Sequence, residues 1–311
     1  MEDKKIICDN ETIAKIAWYY YIDNLTQQQI SDRLGIPRLR VIRLLERARE
    51  TGIVQFKIRD ENEHVSMENR ITRFFGLKDT HIVTAGSSEN GSEVIAQAAA
   101  RYISSRLPED GFINMGYGDT SSRILNYLAD NTGQRISVVS LTGGVNHYLP
   151  NTKSNIFTAK LYLTPAPFVM SSPEMVKAIY NEPDVREIAS MVPLSAMSVV
   201  GIGGTDENAT VIRRGIFSQQ DLLRLSMQGA VGDVLCHFYD INGKPILSEI
   251  EDRLISTPLE TLAKQENVIG VAAGANKVNA IIGALNGKFL NILITDDETA
   301  ASIIEKCGIA A

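Results

Sequence analysis

The chain has 311 residues, 44% apolar and 22% charged, which is material for two ordinary globular domains of about 100–200 residues rather than one. Its three cysteines, Cys8, Cys236 and Cys307, lie far apart and in no metal-ligand spacing, which argues against a disulfide or zinc scaffold and for a reducing compartment. With no charged-then-apolar leader and no run of about 18 apolar residues, the expectation is a cytoplasmic protein with no membrane partner. The formal net charge of −6 counts against a nucleic-acid partner only until it is divided along the chain. Residues 1–60 carry 11 basic and 9 acidic side chains, whereas residues 61–311 carry 20 and 28. Between Arg33 and Arg59 eight basic side chains meet only Glu46 and Glu50.

In chain order, "ETIAKIAWYYYIDN" places Ile13, Ile16, Ala17 and Tyr20 at helical spacing. Thr26 then offers an N-cap, with Gln29 at the capping-box position, for a helix to about Leu34 that Gly35 stops. Pro37 opens the next helix, where its missing N–H costs nothing, and that helix runs to about Glu50. Val41, Leu44, Leu45 and Ala48 form its inner stripe, and Arg38, Arg40, Arg43 and Arg47 lie mostly off it. After Gly52, "IVQFKI" alternates like a short strand, the wing of a winged helix. Helix, glycine turn and arginine-bearing helix is the arrangement that lays its second helix in the DNA major groove. Arginines there meet phosphate or guanine. The ordinary alternative is a solvated helix of a three-helix bundle, which the cap, the turn and the one-sided charge together disfavour.

"ENEHVSMENRITRFFGLKD" reads as a linker helix that packs on another subunit or on the next domain. From Thr80 onward strand-like runs ("HIVTA", "FINMGYG", "ISVVSLTGG", "KLYLTPAPF", "MSVVGIGG", "NVIGVAAG" and "FLNILITD") alternate with helical ones. The helices expected are Val94–Leu107, Ser121–Asp130, Lys277–Leu285 and Thr299–Lys306. This is the pattern of a doubly wound α/β domain with a mainly parallel sheet, whose ligands bind at the carboxyl ends of strands. Glycines cluster at those ends: Gly116-Tyr117-Gly118-Asp119-Thr120, Thr142-Gly143-Gly144 and Gly201-Ile202-Gly203-Gly204-Thr205. Each is compatible with simple turn chemistry, and none is a phosphate loop or a dinucleotide fingerprint. Their joint place on one sheet edge favours an anion site.

Asp233 opens the apolar run "VLCHFYD", where a carboxylate can accept from two sugar hydroxyls or merely cap a turn. Leu235 is taken with it as part of the site. Lys277 follows Gly274-Ala275-Asn276 at the start of a helix, an unusual place for a cation unless it serves an anion. The four histidines are unpaired in sequence and no catalytic motif is present, so no catalytic residue, metal or cofactor is expected.

The blocks "IAWYYYIDNLTQQQISDRLGIPRLRVIRLLERARETGIV", "NMGYGDT", "VSLTGGV", "PAPFVMSS", "NATVIRRGIFS", "GAVGDVLCHFYDINGKP", "GVAAGANKVNAIIGAL" and "FLNILITDDETA" resemble the SorC family of bacterial sugar-responsive transcription regulators, especially its Lsr-type repressors. The resemblance runs over nearly the whole chain. It implies a winged helix-turn-helix at 1–59, a linker or oligomerisation helix at 60–78 and an effector domain at 79–311. That last domain would be related in fold to ribose-5-phosphate isomerase and glucosamine-6-phosphate deaminase. The resemblance further implies a homotetramer on a palindromic operator, released or tightened by a sugar or polyol, often phosphorylated. By position it gives Tyr20 and Gln27 DNA contacts, beside Arg38, Leu39, Arg40, Arg43 and Arg47. It gives Thr210 and Lys277 the effector phosphate, Asp233 the sugar hydroxyls and Tyr117 an aromatic wall, with Gly118, Gly143 and Gly144 as loop backbone. A sugar-phosphate isomerase or deaminase carrying an added DNA-binding domain is the alternative, but it needs a general base that no motif supplies.

Overall fold

The computed structural model describes residues 10–23, 25–54, 63–84, 91–108, 111–131, 136–145, 160–207 and 209–310. The chain divides into two compact units, Met1–Glu61 and Asn62–Ala311.

In the first unit, α1 (Asn10–Tyr21), α2 (Gln27–Leu34) and α3 (Arg38–Glu50) enclose a core of Ile13, Ile16, Ala17, Ile30, Val41, Leu44, Leu45 and Ala48. Thr26 accepts from the Gln29 N–H while the Gln29 side chain accepts from the Thr26 N–H, the reciprocal box that satisfies two otherwise orphaned donors. Gly35 takes the left-handed conformation (φ 64°) that ends α2, and the Ser31 hydroxyl donates to the Ile36 carbonyl across the turn at 2.6 Å. Pro37 is the extended residue before α3 rather than its first helical residue, with φ −58° and ψ 141°. Ile53 and Val54 pack half-buried against the core, but residues 55–58 of the expected wing strand lie outside the described residues.

The second unit begins with α4 (Glu63–Phe75), which buries Met67 and Ile71 against the following elements of its own unit and ends at Gly76 (φ 69°). Then come β1 (Asp79–Val83), α5 (Gly91–Ser104), β2 (Phe112–Met115), α6 (Asp119–Asn131), β3 (Ser137–Ser140) and β4 (Lys160–Tyr162). Next in order are α7 (Pro173–Ile179), α8 (Pro183–Met191), β5 (Met197–Gly201), α9 (Thr210–Arg213) and α10 (Gln219–Met227). A short antiparallel sheet follows, β6 (Gly232–Val234), β7 (His237–Tyr239) and β8 (Pro245–Ile246). The chain closes with α11 (Leu259–Leu262), β9 (Val268–Val271), α12 (Val278–Asn286), β10 (Ile292–Asp296) and α13 (Asp297–Lys306).

Seven strands form one parallel sheet in the order β1-β10-β9-β5-β2-β3-β4. Alternate side chains of a strand face opposite ways, and the cores follow that rule. Ile113, Met115, Val138, Val199 and Ile269 pack on one face with α5 and α6. Val139, Val200, Val268 and Leu293 pack on the other with α4, α12 and α13. Two covered faces explain why these strands read as nearly continuous apolar runs. The strand order reverses between β2 and β5, so the loops leaving those two strands diverge and open a crevice at their carboxyl ends.

The run "VLCHFYD" is not one strand, as the sequence suggests. It breaks at Leu235-Cys236, both left-handed (φ 56° and 68°), into a two-residue hairpin between β6 and β7. Such turns ordinarily recruit Asn-Gly. Here the Asp233 Oδ2 accepts from the Cys236 N–H at 3.0 Å and holds the turn closed over non-glycine residues.

Candidate functional site

The crevice at the reversal of strand order is a cavity of about 290 Å³. It is walled by the loop after β2 (Tyr117, Gly118, Asp119, Thr120), the loop after β5 (Gly201–Gly204), Thr210 and Arg213 of α9, the β6–β7 hairpin (Asp233, Leu235), and Asn276 and Lys277 before α12. Six of the eight residues expected of an effector site therefore share one chamber: Tyr117, Gly118, Thr210, Asp233, Leu235 and Lys277. They come from parts of the sequence up to 160 residues apart, brought together by the crossover of a parallel sheet.

Gly143 and Gly144 do not join them. The Gly143 N–H donates to the Ile255 carbonyl and the Gly144 N–H to that of Ala166, each at 2.8 Å, so neither amide is available to an anion. A Cβ on Gly143 would stand 2.4 Å from the Pro167 carbonyl oxygen. The glycine is there to let two backbones touch.

Asp233 is the floor of the chamber, 3% exposed. Its backbone bridges Gly203 in both directions, and a Cβ on Gly203 would sit 1.9 Å from its Oδ1. Burial raises the Asp233 carboxyl to about 6, against the opposing pull of the Cys236 N–H, Lys277 and His237. The Cys236 bond is its single hydrogen bond from a side-chain oxygen among the described residues, so most of its acceptor capacity remains. Lys277 is half-buried, its ammonium drawn below the usual lysine range by burial although Asp233 and Asp206 hold it up. It makes no side-chain hydrogen bond or ion pair with another described residue. A desolvated cation of this kind is stabilised by any anion that enters.

Beside it, Asp119 at the first turn of α6 takes Arg214 Nη2 at 2.6 Å and Arg213 Nη2 at 2.8 Å. Burial alone would raise Asp119, but the two guanidiniums prevail and hold it below the usual carboxylate range. Tyr117 packs edge-on against Phe168 with centroids 4.8 Å apart, and its hydroxyl meets Cys236 Sγ at 3.0 Å. It is thus a wall whose polar end faces away into the protein. Asp119, Arg213 and Asn276, which the sequence reading did not single out as ligand contacts, line the same chamber. The arginine pair lay in "VIRRG", and a basic doublet near a glycine-rich strand end was its only signal.

In the first unit Arg38, Leu39, Arg43 and Arg47 are exposed on α3, while Arg40 is half-exposed. Gln27 accepts from Arg38 Nη2 at 3.4 Å, tying the starts of α2 and α3 together. Tyr20, Gln27 and Arg38 line one open hollow.

The fold and chamber define an α/β domain with a small polar cavity, lined by a lysine, two arginines and three carboxylates, at the switch point of its sheet. Residues 60–305 match the family model described as "Putative sugar-binding domain". The "Transcriptional regulator LsrR" of Klebsiella pneumoniae subsp. pneumoniae is 32% identical over 303 residues, 96% of this chain and 94% of that protein. Its namesake in Escherichia coli strain K12 is 34% identical, covering 96% of each chain. The full-length sorbitol operon regulator SorC of Klebsiella pneumoniae superposes with a TM-score of 0.68 at 27% identity, over 95% of this chain and 99% of that one. The chain belongs to the SorC family of sugar-responsive transcriptional regulators and resembles its Lsr-type members. Among the described residues no helix is long and apolar enough to cross a membrane.

Proposed function

We propose that the first unit is a winged helix-turn-helix that grips a palindromic operator, and that the second senses a phosphorylated sugar or polyol. The observation that carries the sensor reading is the meeting of Lys277, a half-buried cation without a hydrogen-bonded partner among the described residues, with Asp233 in one chamber. Lys277, Thr210 and the Gly204 amide suit a phosphate, the Gly203 N–H being taken by the Asp233 carbonyl, and the spare acceptors of Asp233 suit adjacent hydroxyls. On the DNA side, Arg38, Arg40, Arg43 and Arg47 supply charge to phosphates and guanines, with Leu39, Tyr20 and Gln27 beside them.

The chamber binds without turnover in this reading. Of the three carboxylates that line it, Asp119 is committed to two arginines, Asp206 accepts from the Asn276 amide at 2.9 Å, and Asp233 has no hydrogen bond to an ionisable side chain among the described residues. The chain acts in the cytoplasm as a homotetramer, which pairs winged helices on half-sites whole turns apart. Effector binding shifts operator affinity by a coupling of about 1–3 kcal/mol, a factor of roughly 5–150.

The test is a thermal-shift screen of the full chain against sugars, polyols and their phosphates. Ligand at 100 times its dissociation constant adds about 2.7 kcal/mol of apparent stability. A shift for one phosphorylated compound that Lys277→Ala abolishes supports the reading; an undiminished shift in that variant refutes the role of Lys277. Turnover of the same compound would refute a pure sensor.

A further inference from the structure

Every exposed position of α3 is charged but one. Val41, Leu44, Leu45 and Ala48 are buried, and at 3.6 residues per turn the side roughly opposite them holds Leu39, Arg43, Glu46, Arg47 and Glu50. Leu39 is 71% exposed, in the first turn, between Arg38 and Arg40. A lone exposed leucine means little by itself. Three features give this one meaning. It stands in the helical turn that reaches base edges when such a helix enters the major groove. Arg43, one turn further along the same face, is a guanine- or phosphate-reaching side chain. Arg38, in the same turn, donates to Gln27 of α2 at 3.4 Å and so joins that turn to the preceding helix.

The major groove offers an apolar group at one base only, the C5 methyl of thymine. We propose that Leu39 is a specificity-determining residue that reads a thymine in each operator half-site through that methyl. The inference rests on the assignment of the first unit as the DNA-binding unit. An arginine or glutamate at this place would take phosphate or base edges by charge; a leucine desolvates favourably only against carbon. The contact carries no charge, so it discriminates sequence without adding to the salt-dependent grip of the arginines.

The test uses the full-length protein and duplexes it enriches from a random-sequence pool. Each thymine of the enriched operator is replaced in turn by deoxyuridine, which removes the methyl and nothing else. Burying one carbon of this kind is worth ~0.8 kcal/mol, so the wild type should bind about fourfold more weakly when the thymine under Leu39 is replaced. Leu39→Ala should lose sensitivity at that position alone and keep it elsewhere. Because Leu39 is exposed and alanine is the better helix former, the variant should melt with the wild type, and this is checked first. Uracil sensitivity that persists unchanged in Leu39→Ala overturns the proposal, as does an operator in which no thymine methyl matters. A variant that instead changes its oligomeric state while keeping every uracil effect would make Leu39 a protein contact, which also overturns it. Failure to enrich any sequence is a different result: it removes the DNA-binding reading itself.

Discussion

Replacing Asp233 by Asn should make the second unit more stable at neutral pH while removing its capacity to bind effector. Asp233 is a buried carboxyl with a folded pKa of about 6 against an ordinary value of 3.8. An acid raised in this way holds more protons folded than unfolded between those two values, so stability is fullest below the lower one and falls as pH rises through the higher one. The difference is about 2 pH units, and at 1.36 kcal/mol per unit the loss by pH 7 is ~3 kcal/mol in order of magnitude. Asparagine carries no charge at any of these pH values, so the variant escapes that loss. It also removes one of the carboxylates that hold the Lys277 ammonium up, leaving Asp206 and Asp119, which offsets part of the gain and makes the figure a ceiling. The decisive quantity is therefore the change in the wild-type-to-variant difference between pH 4.5 and pH 7.5. Urea unfolding at each pH, read by amide exchange in β9 and β10, isolates the second unit; the sole tryptophan, Trp18, reports on the first. A difference that stays flat across this range would refute the buried, raised carboxyl. Retained effector binding in the variant would refute its place in the site.

Four shorter tests bear on the same geometry. Gly203→Ala should abolish effector-induced thermal shifts, because its Cβ would fall 1.9 Å from the Asp233 Oδ1 and one of the two must move. Asp119→Asn should tighten binding of inorganic phosphate severalfold, as Arg213 and Arg214 lose a competing carboxylate; unchanged affinity in a phosphate titration would show that these arginines do not reach the ligand. Arg40→Ala should weaken operator binding and lower the slope of log affinity against log salt by about 1 if it contacts phosphate, with effector affinity unaltered. Thr26→Ala removes the cap of α2 and should cost ~1 kcal/mol in the first unit, seen as faster amide exchange in that helix.

Much of the fold was legible because parallel strands buried on both faces must be apolar throughout, and each of the seven expected runs overlaps a strand of the main sheet. Boundaries slipped by a few residues where turns rather than pattern decide them. β1 starts at Asp79, before the run "HIVTA", and "KLYLTPAPF" keeps only Lys160–Tyr162 as strand. The β6–β7 turn was illegible for a definite reason: its left-handed pair is Leu-Cys, and what makes that pair tolerable is a side-chain bond from Asp233 that no local rule announces. Gly143 and Gly144 had the look of an anion loop, yet the carbonyls that occupy their amides come from Ile255 and Ala166, the first of them more than 100 residues away. Sequence shows that a glycine is needed; only the fold shows whether a ligand or another backbone needs it.

The interlocked floor under the chamber also constrains how proteins of this design can change ligands. A side chain at Gly203 would strike the Asp233 carboxylate, and one at Gly232 would strike Ala280 and the Gly203 carbonyl. Variation there disturbs the hairpin before it can reshape a ligand contact. The rim is built otherwise: Arg123 and Asn276 are exposed, and Thr120 is partly so. New ligand preferences are therefore reached by exchanging rim side chains over an unaltered base.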